Sequence, residues 1–244
     1  MDFLRLYENY GCVLQTGGSD QWGNLTSGTD LVHKALGVSV HAVGTPLITN
    51  SDGTKFGKSE GNAVWLDADL TSPYALYQFW LNTDDRDVID RLKVFTFLSR
   101  TEIEELETAV EETPHLRAAQ KRLAEEVTTL VHGPDQTAAV KAASEALFGK
   151  GDLDGLDPAT LETALRELPH ATITPDTSVA EALVNTGLCQ SLSEARRAIG
   201  QGGVSINNQA VEDDAALVGK PRGPLLAGLL LKRGKKTLAG LFYA

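Results

Sequence analysis

The chain has 244 residues, 42% hydrophobic and 23% charged, with a formal net charge of −11. These proportions are ordinary for a soluble globular protein and exclude a generic basic nucleic-acid coat; no apolar run approaches the roughly 20 residues of a membrane span. Cys12 and Cys189 are the two cysteines, far apart and without a C-x-x-C, which argues against a disulfide framework or thiolate metal site and for a reducing, cytoplasmic setting.

The opening stretch "DFLRLYENYG" places Phe3, Leu4, Tyr7 and Tyr10 roughly on one face and reads as a helix stopped by Gly11. Val13–Gln15 is a short strand candidate, followed by "GGSDQWGN" and a helix from about Leu25 to Leu36. "VSVHAVGTPLIT" reads as a strand running into a loop, so the order fits the last part of a parallel α/β sheet. From Ser72 the pattern turns helical. Ser72–Pro73 is an N-cap with proline at the first helical position, Asp84–Asp85 can start another helix, and Thr101-x-x-Glu104 has the form of a capping box. Pro114 and Gly133–Pro134 bracket an amphipathic helix carrying Leu116, Leu123, Val127 and Leu130, and a further helix ends near Phe148–Gly149.

"GKGDLDGLDPAT" has linker composition; a short helix near Thr160–Leu168 and a turn over Pro169–Pro175 follow it. Ser178-x-x-Glu181 and Ser191-x-x-Glu194 open two more helices as capping boxes, the second carrying Arg196–Arg197. Val204 and Ile206 alternate before Asn207–Asn208, a hairpin signal, and the last 21 residues supply closing strands around "KRGKK". From Ser178 onward the charge is +3, against −14 for the rest, so a basic tail on an acidic body points to a local polyanion site. The five histidines, His33, His41, His115, His132 and His170, form no H-x-x-x-H pair and read as surface or core residues.

"DGTKFGKSEGN", Asp52 to Asn62, can be weighed in two ways as a phosphate loop. A Walker A loop needs G-x-x-x-x-G-K-[ST], but Asp52 stands where the first glycine is required and Gly53 is one residue too close. It also needs a helix directly after the lysine, and "SEGNAVW" does not read as one. The alternative is a loop that brings two lysines to a triphosphate from one side, where their point charges neutralise charge building on departing pyrophosphate. An ordinary surface turn remains the plain alternative.

"KFGKS" resembles the K-M-S-K-S signature loop of class I aminoacyl-tRNA synthetases, in the K-F-G-K-[ST] form of tyrosyl-tRNA synthetases. "LQTGGSDQWGN" is similar to the same family's strand-end motif, and "DFLRLYENYGC" to the helix before it, in the family's order and spacing. "SLSEARRAIGQGGVSINNQAV" resembles the S-four-like RNA-binding module of the bacterial enzymes; tryptophanyl enzymes share the lysine loop but are not expected to carry this tail.

The resemblance implies an α/β fold: the C-terminal part of a nucleotide-binding Rossmann-like domain (1–71), a helical anticodon-region domain (72–150), a linker (151–176) and a small α+β S-four-like RNA-binding domain (177–244). It implies attachment of tyrosine to tRNA(Tyr) by way of a tyrosyl-adenylate, with ATP and its Mg2+ as substrate, no protein-bound metal, no membrane partner, and a homodimer in the complete enzyme. By motif, Asp2 accepts the phenol hydrogen bond of tyrosine and Gln21 lies near the reacting carbonyl. Gly18 and Asp20 receive the ATP ribose, while Leu47 and Ile48 line the adenine. Lys55, Lys58 and Ser59 stabilise pyrophosphate, and Arg196, Arg197, Lys232, Arg233, Lys235 and Lys236 contact tRNA. The family's histidine signature has no counterpart, since no H-x-G-H or H-x-x-H occurs. The expectation is therefore an N-terminally truncated chain, inactive alone, with apolar sheet edges; the alternative is a non-catalytic RNA-binding fragment.

Overall fold

Phe3, Leu4 and Tyr7 recur at helical spacing, and in the computed structural model they form the inner side of α1 (Asp2–Tyr10). The structure describes residues 2–51, 53–54, 56, 64–148, 153, 155–219, 228–234 and 237–244. The chain divides into two compact units, Met1–Ala63 and Val64–Ala244.

In the first unit α1 is followed by β1 (Leu14–Gly18), α2 (Trp22–Leu36) and β2 (His41–Thr45). β1 and β2 pair in parallel, from Leu14↔His41 to Gly18↔Thr45, which needs the intervening helix as a crossover. Phe3, Val32 and Val40 close the small core between helices and strands, with Leu4, Tyr7 and Cys12 around it. The strand reaches three residues beyond the Val13–Gln15 candidate, and the helix starts at Trp22 rather than near Leu25. Glycines at 17 and 18 hide a strand from a propensity reading, because the pairing that holds them comes from β2. On the opposite sheet face Leu14 and Val43 remain about half exposed.

The second unit begins with a helical bundle: α3 (Pro73–Leu81), α4 (Asp85–Phe95), α5 (Arg100–Glu112), α6 (Ala118–His132) and α7 (Pro134–Phe148). Residues ahead of α3 belong to it, with the Trp65 N–H donating to Thr71 Oγ1 at 2.9 Å. Ser72 and Asp84 cap α3 and α4 as their sequence positions suggest, each accepting a backbone N–H. α3 is apolar on most sides, and it buries Tyr74, Leu76, Tyr77 and Trp80. α6 lies at the centre, presenting Ala119, Leu123, Ala124 and Val127 to its neighbours. Arg117 Nη2 donates to the Leu81 carbonyl at 2.7 Å, satisfying an orphan acceptor at the end of α3.

Two local readings need correction here. The capping box of α5 is Ser99 with Glu102, not Thr101 with Glu104: the Ser99 N–H and Oγ both donate to Glu102 Oε2 at 2.8 Å. Glu104 instead pairs with Arg100 one turn earlier on the exposed face. Leu116 and Leu130 are 52% and 61% exposed, so the buried stripe of α6 runs through Leu123 and Val127 without them. Leu116 falls in a separate 3-10 turn, which changes the face it presents.

The C-terminal part of this unit contains α8 (Pro158–Arg166), β3 (His170–Ile173), α9 (Val179–Asn185), α10 (Leu192–Gly200), β4 (Val204–Ile206), β5 (Gln209–Ala210), β6 (Leu229–Arg233) and β7 (Thr237–Tyr243). The sheet order is β3-β7-β6-β4-β5, with β3 parallel to β7 and the other pairs antiparallel. β3 occupies the span read as a Pro169–Pro175 turn; its partner β7 lies at the far end of the chain, so no local signal announces it. Asn207 and Asn208 both take positive φ, 49° and 65°, which is the geometry a two-residue hairpin favours.

Leu229, Leu231, Ala239 and Leu241 face α9 and α10 in one core with Leu183, Ala195 and Ile199. The alternate residues Leu230, Leu238 and Phe242 are buried on the opposite face, so β6 reads as a continuous apolar run. On that face α8 closes on β7: a Cβ on Gly240 would sit 2.6 Å from the Leu165 carbonyl oxygen, and the Arg166 guanidinium lies 4.4 Å over the Phe242 ring.

Candidate functional site

Parallel strands direct their carboxyl ends to one side, and ligands of open α/β sheets bind in the crevice there. In the first unit those ends are Gly18 and Thr45, opposite one another in register. Beyond Gly18 the chain makes a single 3-10 turn, Ser19–Gln21, and enters α2; beyond Thr45 it continues through Pro46, Leu47 and Ile48. Between these two exits lies a cavity of about 310 Å³ lined by Gly18, Asp20, Thr45, Pro46, Leu47, Ile48 and Phe56.

The four residues expected to hold ATP, Gly18, Asp20, Leu47 and Ile48, thus share one cavity. Gly18 is there for want of a side chain: a Cβ would lie 2.8 Å from Asp20 Oδ1 and 3.0 Å from Leu47 Cδ2. Its φ and ψ, −67° and 157°, suit any residue, so close approach and not backbone strain selects glycine. Asp20 brings a carboxylate to a wall that also holds Thr45 and the apolar Pro46, Leu47, Ile48 and Phe56, an arrangement suited to paired hydroxyls beside a flat ring.

Phe56, Thr45 and Pro46 complete the lining and were not singled out in the sequence. Phe56 stands between the two lysines of "KFGKS", which was the available signal. Its N–H donates to the Ile48 carbonyl at 3.1 Å, and Asn50 N–H to the Thr54 carbonyl at 2.8 Å, so the loop folds back on the strand exit. Lys55, Lys58 and Ser59 lie outside the described residues.

Gln21 precedes α2 at its N-terminus, exposed, its Oε1 accepting from Asn24 Nδ2 at 2.9 Å. Asp2 opens α1 and is exposed. The cavity lining includes neither of them.

The basic residues of the C-terminal part separate into three groups. Arg196 and Arg197 are exposed on α10. Lys232 is only 7% exposed, its ammonium pushed to a lower pKa by burial, so it is corrected from a surface phosphate contact to a buried strand residue. Arg233 is half-buried and engaged: Nη2 donates to Glu194 Oε1 at 2.7 Å, and Nη1 donates to the Leu188 carbonyl. Lys235 and Lys236 lie outside the described residues. Glu194 also departs from the capping box expected at Ser191. Its Oε2 accepts from the Gln190 N–H at 2.8 Å, one residue further back than a box requires. Among the described residues no group of three or more His, Cys, Asp or Glu side chains is placed to hold a metal ion, and no helix is long and apolar enough to cross a membrane.

A parallel β–α–β unit with a cavity at its strand ends is an arrangement of the α/β class, in which ligands bind outside the carboxyl ends of the strands. Residues 1–149 match the family "tRNA synthetases class I (W and Y)" and residues 160–239 the "Tyrosine--tRNA ligase SYY-like C-terminal domain", and the chain belongs to the tyrosyl-tRNA synthetases of that class. It is 67% identical over 245 residues to the tyrosine–tRNA ligase of Leifsonia xyli subsp. xyli (strain CTCB07), covering 99% of this chain and 55% of that protein. It is 59% identical to the tyrosine–tRNA ligase of Streptomyces avermitilis, covering 99% of this chain and 57% of the relative. The chain thus spans little more than half the length of these curated relatives. A crystal structure of a C-terminally truncated Aspergillus nidulans mitochondrial tyrosyl-tRNA synthetase matches with a TM-score of 0.51 at 36% identity, over 60% of this chain and 42% of that one.

Proposed function

We propose that the chain supplies the ATP site and the RNA-binding module of a tyrosine–tRNA ligase. The reaction has two steps. The tyrosine carboxylate attacks the α-phosphorus of ATP and pyrophosphate leaves; a terminal ribose hydroxyl of tRNA(Tyr) then attacks the adenylate carbonyl and AMP leaves. The observation that carries this reading is the convergence of Gly18, Asp20, Leu47 and Ile48 on one cavity at the carboxyl ends of two parallel strands.

In that cavity Asp20 accepts hydrogen bonds from the ribose hydroxyls, Gly18 lets the sugar approach, and Leu47 and Ile48 cover the adenine. Lys55, Lys58 and Ser59 neutralise pyrophosphate as it departs, with the Mg2+ that accompanies ATP. Phe56 supports this assignment, since it lines the cavity and is the chain neighbour of Lys55. Gln21 orients the tyrosyl carbonyl, and Asp2 accepts the phenol hydroxyl, an acceptor that phenylalanine would leave unpaired. Catalysis here is positioning and charge stabilisation without a covalent enzyme intermediate. Arg196 and Arg197 meet tRNA phosphates, and the complete enzyme works as a homodimer in the cytoplasm.

ATP–pyrophosphate exchange tests the reading, on this chain and on the chain extended to the length of its relatives. Tyrosine-dependent exchange is expected in the extended protein. Lys58→Ala should lower its rate with little change in tyrosine affinity, and an unchanged rate refutes the assigned role. The second reading, an RNA-binding fragment without catalysis, rests on the exposed Arg196–Arg197 pair alone. It predicts that this chain binds tRNA and shows no exchange, and exchange by this chain alone refutes it.

A further inference from the structure

Arg196 and Arg197 lie within the first turn and a half of α10, so whatever fixes the start of that helix fixes where they point. At the other two boxed helices the glutamate closes its box on the cap residue's own N–H: Glu102 accepts from Ser99, with its second oxygen on Arg122 at 3.3 Å, and Glu181 accepts from Ser178. Glu194 does not. One of its oxygens takes the Gln190 N–H, and the other takes Arg233 from the end of β6, 39 residues away. The same guanidinium reaches the Leu188 carbonyl in the turn after α9. One planar fork therefore joins both ends of the 188–194 turn to the sheet. Its base is firm, because Arg233 is paired on both sides, to Val204 of β4 and to Thr237 of β7. Leu188, Arg233 and Thr237 also line a cavity of about 320 Å³ beside the C-terminal end of α10.

We infer that Arg233 is a positioning residue and not a phosphate contact: through Glu194 and the Leu188 carbonyl it latches the α9–α10 turn to the sheet and so sets where Arg196 and Arg197 meet RNA. The inference rests on the RNA-binding reading of this module. A phosphate contact at Arg233 would have to displace Glu194, whose carboxylate is held below its usual pKa range first by the Gln190 N–H and then by Arg233.

The two roles predict opposite signs for one substitution. If Arg233 meets phosphate, removing the competing charge with Glu194→Gln strengthens tRNA binding. If Arg233 is a latch, Glu194→Gln weakens it. Lysine separates them again, since an ammonium serves a phosphate as a point charge but cannot reproduce a two-acceptor fork. The test is the affinity of the 244-residue chain for a tRNA(Tyr) transcript over a salt series. Arg233→Ala and Arg233→Lys are each expected to weaken binding by about tenfold, and Glu194→Gln by a similar or smaller factor. The double variant Arg196→Ala/Arg197→Ala should weaken binding and flatten the salt slope by roughly 1.4–1.8. Hydrogen exchange keeps the test independent of gross unfolding: Glu194→Gln should speed exchange at the Gln190 amide while the β6 amides stay protected. Tighter binding by Glu194→Gln, or wild-type affinity in Arg233→Lys, overturns the latch alone. No effect of the double variant overturns the RNA reading and the latch with it.

Discussion

Gly240→Ala offers a direct measure of how firmly α8 is seated on the C-terminal sheet. The added Cβ would lie 2.6 Å from the Leu165 oxygen, 3.2 Å from the Leu165 carbonyl carbon and 3.1 Å from Phe242 Cε2. The first of these is backbone, and it is already fixed, since the Leu168 N–H donates to it at 3.3 Å at the end of α8. Neither rotamer change nor a local hinge relieves the clash, so α8 and β7 must separate by roughly 0.8–1.4 Å to restore ordinary carbon–oxygen contact. Overpacking of this kind costs about 1–3 kcal/mol. At roughly 2–4 °C per kcal/mol for a unit of this size, the melting temperature should fall by about 2–12 °C. The separation also draws Arg166 off the Phe242 ring, a contact worth about 0.5–1 kcal/mol. Thermal denaturation followed by circular dichroism reads the effect. Gly200→Ala is the control, because its Cβ meets nothing within 4 Å and it lies on a helix. A Gly240→Ala melting temperature equal to wild type, with Gly200→Ala also unchanged, would refute the docking of α8 against β7.

Gly18→Ala should act in the opposite manner: the atoms it meets are the movable ends of Asp20 and Leu47, so stability stays near wild type while the cavity loses its shape. ATP affinity by calorimetry is expected to fall on the order of tenfold, ~1.4 kcal/mol, and an unaltered affinity would count against the cavity as the nucleotide site. Ser99→Ala should cost about 1 kcal/mol in chemical denaturation and Thr101→Ala less than about 0.5 kcal/mol, a contrast that would be reversed if Thr101 were the cap. His132 has a buried Nε2 without a hydrogen-bond partner among the described residues, and burial lowers its pKa from 6.5. The unfolded chain therefore takes up that proton first, so the stabilising contribution is complete above pH 6.5 and declines as pH falls below it. Melting temperatures of wild type and His132→Phe between pH 7.5 and about pH 5 should diverge in slope, with the variant flatter; parallel curves would remove His132 from the account.

Much of this architecture was legible because its signals act over a few residues. The caps at Ser72, Asp84 and Ser178 depend on one side chain and an amide two or three residues ahead. The Asn207–Asn208 turn depends on two residues that tolerate positive φ. The residues proposed for the nucleotide came in a different way, by resemblance of "LQTGGSDQWGN" and "KFGKS", and the structure gathers Gly18, Asp20, Leu47 and Ile48 around one cavity.

What the chain could not announce locally was settled by partners far along it. β3 exists because β7 pairs with it, and Lys232 is buried because both faces of β6 are covered. Glu194 takes the Gln190 amide in place of the box bond and adds an arginine 39 residues on, although Ser191-x-x-Glu194 has the same form as the box at Ser178. Local geometry offers a glutamate several nearly equal hydrogen bonds. Tertiary packing supplies the one that no local pattern announces: Oε2 keeps a backbone amide, that of Gln190, while Oε1 takes a charge-assisted bond from an arginine that the sheet holds in place.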